Sequence, residues 1–183
     1  MAPYTSAPHF QPAESFHVRP INYAWPVPYH LAQVNVALLR DRLDSPALRE
    51  MTTRIAEINA LAETSPGFVW RFRSPEGLAY LEPLRGYFEP FEPERIFFNL
   101  SLWASLDALR HYAYETPHVE LFRRRHEWMV PMTKPALACW WILKGELPTV
   151  AEASHRLDLL RAHGPIQEAF GFQSCFVPPS SRL

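Results

Sequence analysis

The chain has 183 residues, 48% of them hydrophobic and 20% charged, which suits one globular domain with a full core and excludes a disordered chain. Its formal net charge is -1, so the basic face of a nucleic-acid binder is not expected. No apolar run approaches the roughly 18–20 residues that cross a bilayer, and no leader pattern opens the chain, so a cytoplasmic protein without membrane contact is expected.

Residues 1–28 carry prolines at 3, 8, 12, 20, 26 and 28 together with Tyr4, Phe10, Phe16, Tyr23 and Trp25. Proline at this density opposes helix and central strand, while the rings call for burial. An extension lying over the domain or a partner subunit is expected, with the domain proper occupying 29–183. "YHLAQVNVALL" alternates as a strand, with Ala32, Val34, Val36 and Leu38 on one face and Leu31, Gln33 and Asn35 on the other. A helix follows, capped by Asp44 or Ser45 with Pro46 in its first turn, and Pro66-Gly67 ends it. "GFVWRFR" is a second strand. The proline-rich stretch from Ser74 to Arg95 is long for a hairpin connection, a length typical of lids and binding loops.

"RIFFNLSLW" is the third strand, with Ile96, Phe98, Leu100 and Leu102 opposed to Phe97, Asn99, Ser101 and Trp103. Ser105 caps the next helix, which Thr116-Pro117 interrupts: Thr116 is a new N-cap and Pro117 the first residue of a second segment. "PALACWWILKG" is a strand buried on both faces, Thr149 caps a further helix, and "EAFGFQSCF" is a last extended piece. Cys139 and Cys175 both lie in apolar runs and form no C-x-x-C pair, so buried, inert thiols are expected rather than zinc or a disulfide. The order β-α-β-β-α-β-α-β predicts an α+β ferredoxin-like sandwich with a C-terminal helix-strand addition.

Helices should cover the uniformly apolar sheet face. The mixed face, with Gln33, Asn35, Phe97, Asn99, Ser101 and Trp103, is too apolar for water and too polar for a plain core. Two protomers closing these faces around a ligand cavity, a dimeric α/β barrel, resolve that conflict. His118, at a helix start where the macrodipole disfavours an imidazolium, is the candidate acid/base; His111 and His126 are weaker candidates. Arg71 could bind a carboxylate or enolate. The Arg123-Arg124-Arg125 run beside Glu120 and Glu127 reads as a solvated helix face. Signatures of phosphoryl transfer, triad hydrolysis and zinc catalysis are missing, and no metal is expected.

"HLAQVNVALLRDRLDSPALREM", "NLSLWASLDALRHYAYETPHVELFRRRHEWM" and "ACWWILKGELPTVAEASHRLDLLRAHGPIQEAFGF" resemble the domain-of-unknown-function (DUF) family 3291 over about residues 29–176. That family looks related to the dimeric α/β-barrel superfamily of antibiotic-biosynthesis monooxygenases and haem-handling enzymes. The block around His118 is similar to spheroidene monooxygenase, a haem-containing carotenoid oxygenase. The resemblance implies a homodimeric enzyme of natural-product metabolism acting on a small hydrophobic substrate, with oxygenase, isomerase or cyclase chemistry. No cofactor is required by that reading. Haem is the one the resemblance admits, with His118 as its axial ligand. The alternative is a non-catalytic binding protein for an apolar ligand or haem.

Overall fold

A computed structural model describes residues 28–179. The aromatic extension lies almost wholly outside these described residues, and so does the expectation about its packing. Among them no helix is long and apolar enough to cross a membrane. The first strand forms as read, β1 at Tyr29–Leu39. The helix that follows is reached through a 3-10 turn, Pro46–Leu48, and runs as α1 over Arg49–Thr64. Neither predicted cap serves it: Asp44 pairs with Arg42, and the Ser45 hydroxyl is buried without a partner. Pro46 alone marks the start, because its missing N–H costs nothing there.

Gly67 ends the α1 exit with φ of +80°, and a Cβ on it would stand 2.5 Å from that of Ala108. Its carbonyl also accepts the Ala104 N–H at 2.7 Å. Gly67→Ala is therefore expected to cost about 1–3 kcal/mol through left-handed strain and overpacking. Urea unfolding should show the lower midpoint with an unchanged slope.

The remaining elements are β2 (Phe68–Arg71), β3 (Ile96–Trp103), α2 (Leu106–Glu115), α3 (His118–Trp128), β4 (Met129–Val130), β5 (Leu137–Leu143) and α4 (Val150–His163). Ser105 and Thr149 cap α2 and α4 as read, accepting the Ala108 and Glu152 N–H groups at 3.1 Å each. The two-residue β4 was too short for any periodicity to signal. Strand order is β2-β3-β1-β5, antiparallel throughout, with β4 beside the end of β1. Two β-α-β crossovers over such a sheet make the fold ferredoxin-like.

The faces are covered in the opposite sense to the expectation. The uniformly apolar face, with Val34, Val36, Leu100 and Leu102, packs under α4 and the stretch from Tyr80 to Phe91. Leu81, Leu84, Tyr87 and Phe88 of that stretch are buried, so it completes the core and is no lid. Ser154 donates to the Pro83 carbonyl at 2.7 Å and Lys134 to that of Tyr87 at 2.7 Å, fastening it at two points. Helices α1, α2 and α3 cover the mixed face instead, packing Ala62, Leu109 and Tyr112 around Trp103, and Met51 and Trp128 around Leu39. Crossover handedness sets which face the helices take, whichever face is more apolar.

The C-terminal stretch is not a strand. It makes one antiparallel bridge to β5, Cys139 with Phe170, and two local ones, Ile166 with Ala169 and Gly171 with Ser174. Cys139 is buried as expected, and burial pushes its thiol up to about 12. Cys175 is exposed, contrary to the apolar pattern around it, because no strand forms there to turn it inward.

Candidate functional site

Between the mixed sheet face and helices α1, α2 and α3 lies a cavity of about 720 Å³, within the range of small-molecule sites. The eight leading candidates from the sequence line it: Gln33, Asn35, Arg71, Phe97, Asn99, Ser101, Trp103 and His118. Helices of the same chain form its roof. The register explains the grouping, since Gln33 lies opposite Ser101, Asn35 opposite Asn99 and Ala37 opposite Phe97. Side chains opposite each other in an antiparallel pair share one face.

The polar groups of the floor are linked. Trp103 Nε1 donates to Ser101 Oγ at 3.0 Å, Ser101 Oγ donates to Gln33 Oε1 at 3.0 Å, and Asn99 Nδ2 reaches the same oxygen at 3.5 Å. Asn35 Nδ2 donates to the Ala136 carbonyl at 3.1 Å. The Ser101 hydroxyl, the Trp103 indole and the Asn35 amide nitrogen are thus paired, which offsets their desolvation.

The bend between α2 and α3 builds the His118 environment. Thr116 is extended, and its Oγ1 accepts the His118 N–H at 3.3 Å, the capping role read from the sequence. His118 Nδ1 lies 3.2 Å from the Ala113 carbonyl of the α2 C-terminus. A carbonyl only accepts, so the proton of the neutral ring sits on Nδ1 and Nε2 carries the lone pair. Desolvation by burial pulls the His118 pKa below its ordinary value, outweighing the bond to Ala113, which raises it. The ring packs 4.9 Å from Tyr112, which stacks on Trp103 with centroids also 4.9 Å apart.

A neutral His118 makes stability depend on pH. Its pKa is lowered from the 6.5 of the free group, so below that pH the unfolded chain takes a proton the folded chain declines. The contribution is present above pH 6.5 and is lost as pH falls through the folded value. His30, also lowered by burial and then by Lys144, adds in the same sense. Urea midpoints should fall between pH 7 and pH 5, and His118→Gln should flatten that fall.

Arg71 lines the wall, but its Nε donates to Glu63 at 2.8 Å, so an anionic ligand has to compete for it. His111 pairs with Glu115 on the exposed side of α2, away from the cavity. His126, with Nδ1 at 3.1 Å from the Arg123 carbonyl, lines the cavity along with Arg123 and Arg125. These exposed groups, with Pro131 and Tyr114, place the mouth beside α3. Arg124 straps the roof together, bonding Glu50 of α1 at 2.6 Å and Glu127 at 2.7 Å. The arginine run is thus partly a solvated face, as read, and partly a rim.

Among the lining residues that the sequence reading passed over are Tyr112 and Asn59. Tyr112 is buried, donates to the Ile58 carbonyl at 3.2 Å, and has its pKa pushed up by desolvation. Asn59 stands in α1 among Ile55, Ile58 and Ala62. A polar residue inside that inward stripe was the available signal. Among the described residues no carboxylate, lysine or thiol lines the cavity and no cluster of metal-ligating side chains occurs.

No curated protein matches the chain. Among solved structures it is similar to NE2512 of Nitrosomonas europaea, a protein of unknown function, at 14% identity and a TM-score of 0.44, over 67% of this chain and 98% of that one. It is similar to SnoaB of Streptomyces nogalater, a cofactor-independent oxygenase, at 14% identity and a TM-score of 0.40, over 65% and 97%. PA3566 of Pseudomonas aeruginosa gives 11% identity and a TM-score of 0.40, over 66% and 98%. Residues 30–183, which include almost all of β1 and every later strand, helix and cavity residue, match the family described as domain of unknown function (DUF3291), and the chain belongs to that family.

Proposed function

We propose that this chain is an enzyme of natural-product metabolism that binds a hydrophobic small molecule in the cavity and acts on it by proton transfer at His118. One observation carries the reading: a buried, neutral imidazole with its Nδ1 proton anchored on Ala113, inside a largely apolar chamber floored by carboxamides. Such an imidazole offers Nε2 as a base to an acidic C–H or phenolic O–H, and carboxamide donors stabilise the oxygen charge that develops. Isomerisation, cyclisation or addition of oxygen to the resulting carbanion all begin with that step. Arg71, once released from Glu63, would be a second partner for an enolate.

The lining favours cofactor-free chemistry. A porphyrin laid against the floor would cover Gln33, Asn35 and Asn99 and leave their amides facing an apolar ring, an unfavourable pairing. A Soret band on adding haem to the purified chain, lost in His118→Ala, would reverse that choice. The second reading is a binding protein using the same cavity, and the missing carboxylate partner for His118 favours it. Incubating the protein with extracts of hydrophobic metabolites, followed by mass spectrometry, separates the two. A compound converted by the wild type but not by His118→Gln supports the enzyme. A compound retained unchanged by both supports the binding protein and removes the catalytic reading.

A further inference from the structure

The hydrogen-bond chain on the cavity floor has a direction, and one end of it cannot be reversed. An indole Nε1 is a donor only. Trp103 donates to Ser101 Oγ at 3.0 Å, so the Ser101 proton must go elsewhere. Its acceptor is Gln33 Oε1, also at 3.0 Å. Were the Gln33 amide turned over, its Nε2 would meet the Ser101 oxygen, and the hydroxyl proton of a 5% exposed serine would lose its acceptor. Asn99 Nδ2 approaches the same Gln33 oxygen from the other side. Gln33 is itself only 4% exposed. Its Oε1 is engaged twice, while its Nε2 has no hydrogen bond among the described residues although the side chain lines the cavity.

We propose that Gln33 is the specificity-determining donor of this cavity: Trp103 and Ser101 lock its carboxamide with the N–H groups free for a ligand, so the site selects molecules presenting a carbonyl or enolate oxygen. The inference rests on the cavity being the binding site. Trp103 and Ser101 act through Gln33 and are positioning residues. The selection is electrostatic as well as geometric. A site built around an unpaired donor rejects a hydrocarbon of the same shape, because that ligand leaves the donor unsatisfied. It also rejects a ligand that offers only a donor at that point.

The test uses three rigid probes of one shape with the full chain: 9-fluorenone, 9-hydroxyfluorene and fluorene. Affinities are measured by titration calorimetry, and side-chain amide signals by two-dimensional nitrogen–proton NMR. The ketone-to-hydrocarbon affinity ratio of the wild type should fall about tenfold in Gln33→Met, which keeps the length and loses the donor. Trp103→Phe, which keeps a ring but releases the polarity lock, should give an intermediate ratio. Gln33→Glu, acceptor-only when ionised, should at alkaline pH shift preference from the ketone to the carbinol, whose hydroxyl can donate. In the wild type the Gln33 side-chain amide signals should move with fluorenone and much less with fluorene, a readout that requires no variant to fold. If ketone and hydrocarbon both bind and Gln33→Met leaves their ratio unchanged, Gln33 is not the selecting donor, while the cavity stands as a binding site. If no probe shifts any cavity-lining signal, the binding reading fails and the proposal goes with it.

Discussion

His118→Gln is expected to slow conversion of the cavity substrate by about 10²–10⁴-fold, the range for losing a positioned general base. The neutral side chain of glutamine keeps a polar group in the space, so binding should weaken far less than turnover. Position and protonation state both support the size of the effect. Nδ1 is held by the Ala113 carbonyl, which leaves Nε2 as the basic nitrogen, and burial keeps the ring neutral. Because the pKa lies below 6.5, kcat/KM for the wild type should be flat through neutral pH and decline only on the acid side. That acid limb should vanish in the variant. An acid limb that persists in His118→Gln would assign the titrating group elsewhere, with His126 at the mouth the next to test.

Trp103→Ala is expected to destabilise the fold severely, by about 3–5 kcal/mol. Marginal domains have only about 5–15 kcal/mol in total, so the variant should be partly unfolded at modest urea concentrations. Trp103 is 1% exposed. It stacks on Tyr112 and meets Phe68 edge-on at 5.5 Å, contacts that add to its buried area. Its removal also takes the fixed donor from Ser101. Leu147→Ala, at a side chain 57% exposed, is the control and should change stability by less than about 0.5 kcal/mol. Urea unfolding of the two variants side by side checks both expectations. Comparable midpoints would mean that Trp103 carries little of the packing assigned to it.

Much of the molecule is legible from local pattern. Period-two alternation marks β1 and β3 because each strand sits between two different environments. Ser105, Thr116 and Thr149 announce helix starts because a side-chain oxygen satisfies an amide the helix cannot. The same alternation gathers Gln33, Asn35, Phe97, Asn99, Ser101 and Trp103 on one face, and the register of β1 with β3 places them in a single cavity wall. Where local pattern misled, the deciding contacts were distant in sequence. Ser45 has capping chemistry but no N–H to accept, since Pro46 and a 3-10 turn intervene. The Ser74–Arg95 stretch has loop composition, yet its buried leucines and aromatics find α4, more than 60 residues further on. Cys175 has apolar neighbours but no strand pairing to turn it inward.

The sequence alone determined the fold class, the four longer strands and the helices, and the membership of the mixed face. Those depend on periodicity and on capping, which neighbouring residues settle among themselves. Only the tertiary structure decided what covers that face. Crossover handedness lays α1, α2 and α3 over it and leaves the apolar face to α4 and the 80–91 stretch. The partners of Gln33, Ser101 and Trp103 belong to this second kind of knowledge. The polarity of a hydrogen-bond chain depends on which atoms meet across strands almost 70 residues apart, and no local pattern encodes that meeting.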